Sequence, residues 1–444
     1  MNESKLDVLK KIHKLAIPGI LSMILSTLFT IADEAIVGRI DVDGYTAVSI
    51  SANIIYQVIG NLGAISVAFT ILFAKSIGQK DKKASAQIFN TIISISILIG
   101  IVAEVLAILV GKGLIHAVYG VSDEILNEAY SYLVIAGLSI GINLVCFVMS
   151  GFFKNIMEPK IALIATSASL PVNFVLDYIL VFGKFGLPKL RGSGAAIGTI
   201  CGLLVEVIIY AVCFMKKSNF RYSFKINGDI LKKTMGLFIP LLGQDFVENT
   251  IFVIVIGAII SRYNTVLYAT YSVINALIIT LTTIMYAYAG ATMTLVGQAY
   301  SSDTERQLCI RYPKYSGMIA VLIYALILVI TVIFPSQVCG IITDQFEILE
   351  KAIPVVVFAL SVQLLNIPCQ VYKYALQAIE QEKWVLIISV LMSALCCVII
   401  FLNMFMFKLE LTGVFLGFGI FYAALDAFFF IKYSHSLKKL VVTK

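Results

Sequence analysis

Two groups of polar residues stand inside long apolar runs, and both have spacings that could do chemistry. In Leu170–Asp177 (Leu-Pro-Val-Asn-Phe-Val-Leu-Asp), Asn173 and Asp177 are four apart, which puts them one above the other on a helix face. An ionised carboxylate at bilayer depth costs about 2.5–3.5 kcal/mol even on the lenient insertion scale. Interhelical hydrogen bonds in membranes contribute only about 0.6 kcal/mol on average, so packing alone does not account for Asp177. An amide above a carboxylate suits a small hard cation or a proton, and this face is read as the site of a coupling ion. The second group, Gln244, Asp245 and Glu248, forms a polar stripe of its own in a later run. Other chemistries lack support. The three histidines (His13, His116, His435) fall near helix ends or in the tails, and the eight cysteines include no Cys-x-x-Cys pair. With no Gly-x-Ser-x-Gly elbow and no Walker loop, nothing local points to covalent catalysis, a metal centre or ATP drive.

The elements that must position these groups follow from composition. Of 444 residues, 60% are hydrophobic and 13% charged, and mean hydropathy is +0.96. Too little charged surface remains for a water-soluble domain of this length. The runs are too long and too unalternating for an outer-membrane barrel. At about 20 residues per span, the chain reads as an all-α polytopic membrane protein. Twelve spans are expected at 15–38, 46–74, 88–111, 129–152, 161–182, 193–215, 235–260, 265–297, 313–334, 352–376, 384–407 and 412–432. The Met1–Lys14 start is basic and runs into a full span with no small-residue cleavage site, so it is read as a first helix and not a signal peptide.

Charge orients the chain. The two tails and the even-numbered connections hold 25 Lys and Arg against 8 in the odd-numbered ones, which places both termini in the cytoplasm. In this count Lys373 belongs to a cytoplasmic connection. The basic loops serve topology and lipid headgroups rather than nucleic acid. An internal repeat is also legible. Pro18 in Leu15–Gly19 matches Pro240 in Leu237–Leu241 at an offset of 222. Ala68–Asp81 aligns with Gly290–Asp303, and Phe153–Lys160 aligns with Leu376–Lys383. Six helices per half give parallel repeats, hence two six-helix bundles related by a pseudo-two-fold axis along the membrane normal, an arrangement that places a substrate site between bundles. The expected division is 1–215, a linker at 216–233, and 234–444.

The ordered motifs resemble one family across essentially the whole chain. Leu15-Ala-Ile-Pro18 opens the first span and Ile31-Ala-Asp33-Glu-Ala-Ile-Val-Gly38-Arg39 closes it. Pro171-Val-Asn173-Phe-Val-Leu-Asp177-Tyr178, Gly192-Ser-Gly-Ala195-Ala-Ile-Gly-Thr199 and Gly290-Ala-Thr-Met-Thr-Leu-Val-Gly297-Gln298 follow. This set is similar to the multidrug and toxin extrusion (MATE) transporters, within the wider group that includes lipid-linked oligosaccharide flippases. The resemblance implies a cation site in the first bundle made by Asp33 on helix 1, Asn173 and Asp177 on helix 5, and Ala195 and Thr199 on helix 6. Those donors are hard oxygens, two carboxylates in one pocket favour holding one proton between them, and the small Ala195 permits close helix approach. It also implies a role for Glu248, matching a helix 7 glutamate, in coupling or substrate binding. Asp245 and Gln244 join Glu248 as candidates, although Asp245 is not part of the pattern. Met157 stands where the family usually has glycine, and Lys154 and Glu158 replace its usual Arg and Asp.

The resemblance further implies a monomeric inner-membrane exporter, not an enzyme. It would need no cofactor beyond Na+ or H+ as coupling ion and would move cationic or amphiphilic drugs out by alternating access. Two rivals are weighed. A flippase would line its cavity with basic residues, which the spans nearly lack away from their ends. A membrane enzyme would need paired catalytic groups or a metal ligand set. Glu104, Glu206 and Asp426 are read as bundle-internal polar contacts, and Tyr268, Tyr271, Tyr286 and Tyr288 as packing residues or aromatic faces for a cation.

Overall fold

The computed structural model describes residues 4–302 and 304–442. Among them every regular element is helical, and twelve segments are long and apolar enough to cross a membrane. The helices are α1 (Lys5–Val37), α2 (Val42–Leu62), α3 (Ala64–Gly78), α4 (Lys82–Tyr119), α5 (Asp123–Asn155), α6 (Lys160–Phe182), α7 (Arg191–Lys217), α8 (Gly228–Phe246), α9 (Phe252–Tyr263), α10 (Thr265–Ser301), α11 (Leu308–Ile333), α12 (Pro335–Gly340), α13 (Phe346–Ala378), α14 (Glu382–Phe405) and α15 (Glu410–Val442). α2 and α3 share one span, and α8 and α9 share another around a π turn at Val247–Ile251. Every expected span is present. The helices overrun most of the apolar runs because their ends are set by capping groups. The Asp41 carboxylate accepts the Gly44 N–H at 2.9 Å to start α2, and Asp81 accepts the Ala84 N–H at 2.9 Å to start α4. Asn264 does the same for α10 through the Leu267 N–H. Each satisfies one of the backbone donors that a helix N-terminus leaves unpaired. Gly183 closes α6 in the left-handed conformation at φ +67°, where a side chain would be strained.

The chain forms two compact units. One is Ile17–Phe238; the other combines Met1–Ala16 with Ile239–Lys444. This differs from the expected division at both ends of the first half. The first turns of α1 go with the second unit, where His13 Nδ1 meets the Tyr288 hydroxyl at 3.1 Å. The segment read as a linker is fastened to α4 of the first unit. The Asn227 N–H donates to Thr91 Oγ1 at 3.1 Å, Asn90 Nδ2 to Ser223 Oγ at 3.1 Å, and Ser94 pairs with the Tyr222 hydroxyl. Phe220 adds an edge to the stacked Phe89–Phe214 pair.

Within each unit one helix is central. α5 packs on α2, α3, α4 and α7 in the first, and α13 on α10, α11 and α15 in the second. α13 begins and ends 223 positions after α5. Their C-terminal turns match as well. The Glu158 N–H donates to the Phe153 carbonyl and the Gln381 N–H to the Leu376 carbonyl, six-residue closures of one type. The duplication seen as weak sequence matches thus extends to backbone detail. Asp303, aligned with Asp81, lies outside the described residues.

Candidate functional site

In the first unit the polar residues of α6 and α7 meet across a tightly packed helix seam. Asn173 Nδ2 donates to Asp177 Oδ2 at 2.8 Å and to Thr199 Oγ1 at 3.3 Å. Asp177 is completely buried. The seam is this tight because α7 carries a glycine every fourth residue on the face it turns to α6. A Cβ at Gly194 would lie 2.7 Å from the Leu180 carbonyl carbon, one at Gly198 would overlap the Asp177 carboxylate, and one at Gly202 would lie 2.9 Å from Asn173 Cβ. The close approach ascribed to Ala195 is therefore made by these glycines. Ala195 itself is buried one turn before Thr199.

Asp33, near the end of α1, brings its carboxyl group against that of Asp177. One oxygen of each, Asp33 Oδ1 and Asp177 Oδ1, is buried without a hydrogen-bond partner. Two carboxyl groups this close need a proton or a cation between them. The chemistry of the donor set, two carboxylates with an amide and a hydroxyl, fits a small hard cation as well as a proton. Tyr132 of the central helix α5 is buried within electrostatic reach of both acids. The sequence reading did not single it out, because one hydroxyl in an apolar run carries no spacing signal.

Elsewhere in the first unit, Arg191 ties three elements together. Its Nε and Nη2 donate to Glu128 Oε1 and Oε2 at 2.9 and 3.0 Å, and Nη2 also reaches Asp41 Oδ1 at 2.7 Å. The Gly44 N–H and then the Arg191 guanidinium hold the Asp41 carboxyl below its ordinary range.

The second unit has its own polar cluster, centred on Glu248 in the π turn between α8 and α9. Such turns widen a helix by one residue and often accompany functional sites. Lys373 Nζ donates to Glu248 Oε2 at 2.7 Å, Gln244 Nε2 to Glu248 Oε1 at 2.9 Å, and Gln377 Nε2 to Gln244 Oε1 at 3.1 Å. Asp245 lies within electrostatic reach of Lys373 and Glu248 without joining this chain. Charge counting places Lys373 in a cytoplasmic connection, and the structure places it elsewhere. It lies inside α13, 7% exposed, with its charge turned into the bundle. Sequence counting could not find this, because the partner acid is 125 residues away. Among the described residues no group of three or more His, Cys, Asp and Glu side chains is placed to hold a metal.

Comparison with known proteins follows the same division. A sequence model of the MatE family matches twice, over residues 18–179 and 240–408. The chain belongs to the MatE family. The two matches start at Pro18 and Pro240, the pair that marks the repeat. The MatE chain is 26% identical over 419 residues to a probable multidrug resistance protein NorM of Bacillus licheniformis, covering 87% of each sequence. It is 23% identical over 417 residues to the multidrug export protein MepA of Staphylococcus aureus, covering 92% of this chain and 90% of that one. Among solved structures, a crystal structure of MATE in the bent conformation aligns with TM-score 0.89 at 18% identity, over 98% of this chain and 97% of the other. That likeness establishes the fold. Kinship with named export proteins sets the MatE chain among membrane transporters and outside the enzyme reading.

Proposed function

We propose that this protein is a secondary active multidrug exporter of the cell membrane, with both termini cytoplasmic, that expels cationic or amphiphilic drugs against an inward flux of Na+ or H+. The first-unit set Asp33, Asn173, Asp177 and Thr199, with Ala195 beside it, takes the coupling ion. Gln244, Asp245 and Glu248 serve substrate binding or coupling in the second. The observation that carries this reading is the Asn173 amide bridging Asp177 and Thr199 while Asp33 faces Asp177 with an unpartnered buried oxygen on each acid. A buried acid pair with spare oxygens gains a large differential interaction when a cation or proton enters, and only such a difference can shift a conformational equilibrium. By reciprocity, an ion that favours the state of weak drug affinity is itself released when drug favours the other.

The names of the relatives NorM and MepA support drug export, and the basic bias of the tails and even connections supports the orientation. The test is efflux from loaded vesicles driven by an imposed Na+ gradient or an imposed proton gradient, with the wild type and with Asp177→Asn. The proposal expects one gradient to drive wild-type efflux and Asp177→Asn to abolish that drive. Unchanged ion-driven efflux in the variant would remove the first-unit site from coupling.

A further inference from the structure

The second unit holds a partly open cavity of about 100 Å3 beside the π turn, and its wall carries charges of both signs. Glu248 and Lys373 line it as an ion pair at 2.7 Å. Two further lining residues, Gln370 and Ser393, each hold a buried oxygen (Gln370 Oε1 and Ser393 Oγ) with no hydrogen-bond partner. The Tyr286 and Tyr422 side chains also line it, whereas Asp245 does not. A buried oxygen that could accept or share a proton but has no partner is costly in an apolar surrounding, and two residues of this lining hold one beside the ion pair.

The pair decides which ligands can enter. A ligand with one positive charge can reach Glu248 only by taking it from Lys373, which strands an ammonium in the bundle. A ligand with one negative charge strands Glu248 in the same way. Removing one partner of a buried pair is strongly unfavourable because the other charge remains uncompensated. A ligand carrying an amine and a carboxylate a few bonds apart replaces both halves of the broken contact. The space admits several water-sized groups, enough for such a headgroup though not for a whole drug.

We infer that this cavity receives a zwitterionic group, the amine facing Glu248 and the carboxylate facing Lys373. The inference rests on the reading of the second unit as substrate-binding and narrows its substrates to amphiphiles that carry a zwitterionic group, leaving simple cations outside this cavity. The tethered lysine selects against ligands of a single charge by the penalty they incur.

The test uses the purified full-length protein in detergent and three probes built on one skeleton, with the aromatic ring left outside the cavity: phenylalanine, its methyl ester as the monocation, and N-acetylphenylalanine as the monoanion. Calorimetry should rank phenylalanine about tenfold or more above either neighbour, the spread of one missing charge contact. Lys373→Met should move the preference to the ester and Glu248→Gln to the N-acetyl compound, while Lys373→Arg should keep the zwitterion first. The ester binding as well as phenylalanine, no probe binding, or a ranking indifferent to Lys373 would overturn the proposal. If a single variant does not fold, the wild-type and Lys373→Arg rankings decide. Binding is read without any ion gradient. Failure of ion-driven efflux in vesicles therefore counts against the exporter reading alone, and a cation-first ranking in a working exporter counts against the zwitterion alone.

Discussion

Met157 and Glu380 adopt the same left-handed backbone conformation, φ 62° and 60°, in the turns that end α5 and α13. They stand 223 residues apart. Neither is glycine, and a side-chain-bearing residue in this region costs about 1–2 kcal/mol. Met157→Gly and Glu380→Gly should each raise stability by about 1 kcal/mol, somewhat less than the strain because glycine also loosens the unfolded chain. Thermal unfolding of each purified variant in detergent checks this, and a lowered midpoint in both would show that the turns are held by their side chains.

Gly198 lies against the Asp177 carboxylate with no room for a methyl group. Gly198→Ala should part α6 and α7 at that level, destabilise by about 1–3 kcal/mol as other overpacked sites do, and reduce ion-driven efflux at least tenfold. Gly113, whose Cβ would meet nothing within 4 Å, is the control, and Gly113→Ala should leave efflux unchanged.

Within the first-unit cluster the donors are not equivalent. Thr199→Ser keeps the hydroxyl that accepts from Asn173 and should retain efflux, whereas Thr199→Val removes it and should weaken coupling by about tenfold, the range of one lost hydrogen bond. The apparent affinity for the driving ion is the quantity to measure. Equal affinities in the two variants would take Thr199 out of the site.

Lys373 and Glu248 are coupled strongly enough for a double-mutant cycle. Lys373→Met alone leaves a buried carboxylate unpaired and should cost about 3–5 kcal/mol. The double variant Lys373→Met, Glu248→Gln removes both charges, so its cost should fall well below the sum of the two single changes. Denaturation midpoints of the four proteins give the coupling energy, and additivity would mean that the pair is not a structural unit.

The Arg191 cluster supplies a pH dependence. The Asp41 carboxyl is held below its ordinary value of 3.8 by the Gly44 N–H and by Arg191. A group lowered on folding binds fewer protons in the folded state than in the unfolded one, so its contribution is present above the unfolded value and disappears as pH falls through the folded one. Wild type should therefore exceed Asp41→Asn in unfolding temperature by a constant margin above about pH 5, and the margin should shrink on acidification below about pH 4. A margin that grows on acidification would contradict the assignment.

The spans were legible because membrane helices write themselves as apolar runs. Their ends were not, because caps such as Asp41 and Asn264 act outside those runs. Asn173 with Asp177, and Gln244 with Glu248, were visible as four-residue spacings on single helices, and both prove to be hydrogen-bonded pairs. Asp33 entered only through family resemblance, since its meeting with Asp177 crosses the whole first unit. Lys373 was misplaced for the same physical reason. Its position near the end of an apolar run looked like a headgroup contact, and only the fold brings Glu248 beneath it. The glycines at 194, 198 and 202 were a readable signal of period four, but the small-residue argument was attached to Ala195 instead.

That glycine row has a mechanical consequence. With the α7 glycines set directly against the Leu180–Val181 backbone, the Asp177 carboxylate and Asn173 at three successive turns, α7 puts no side chain of its own at those positions and packs with α6 as a single strut. Asn173, Asp177 and Thr199 are therefore a fixed half-mould whose geometry is not adjustable from within. Asp33 is carried by a different helix, so on the proposed coupling role an opening or closing around an ion would be made by α1 sliding or turning against the strut. The grip on such an ion would be set by where one helix places one carboxylate.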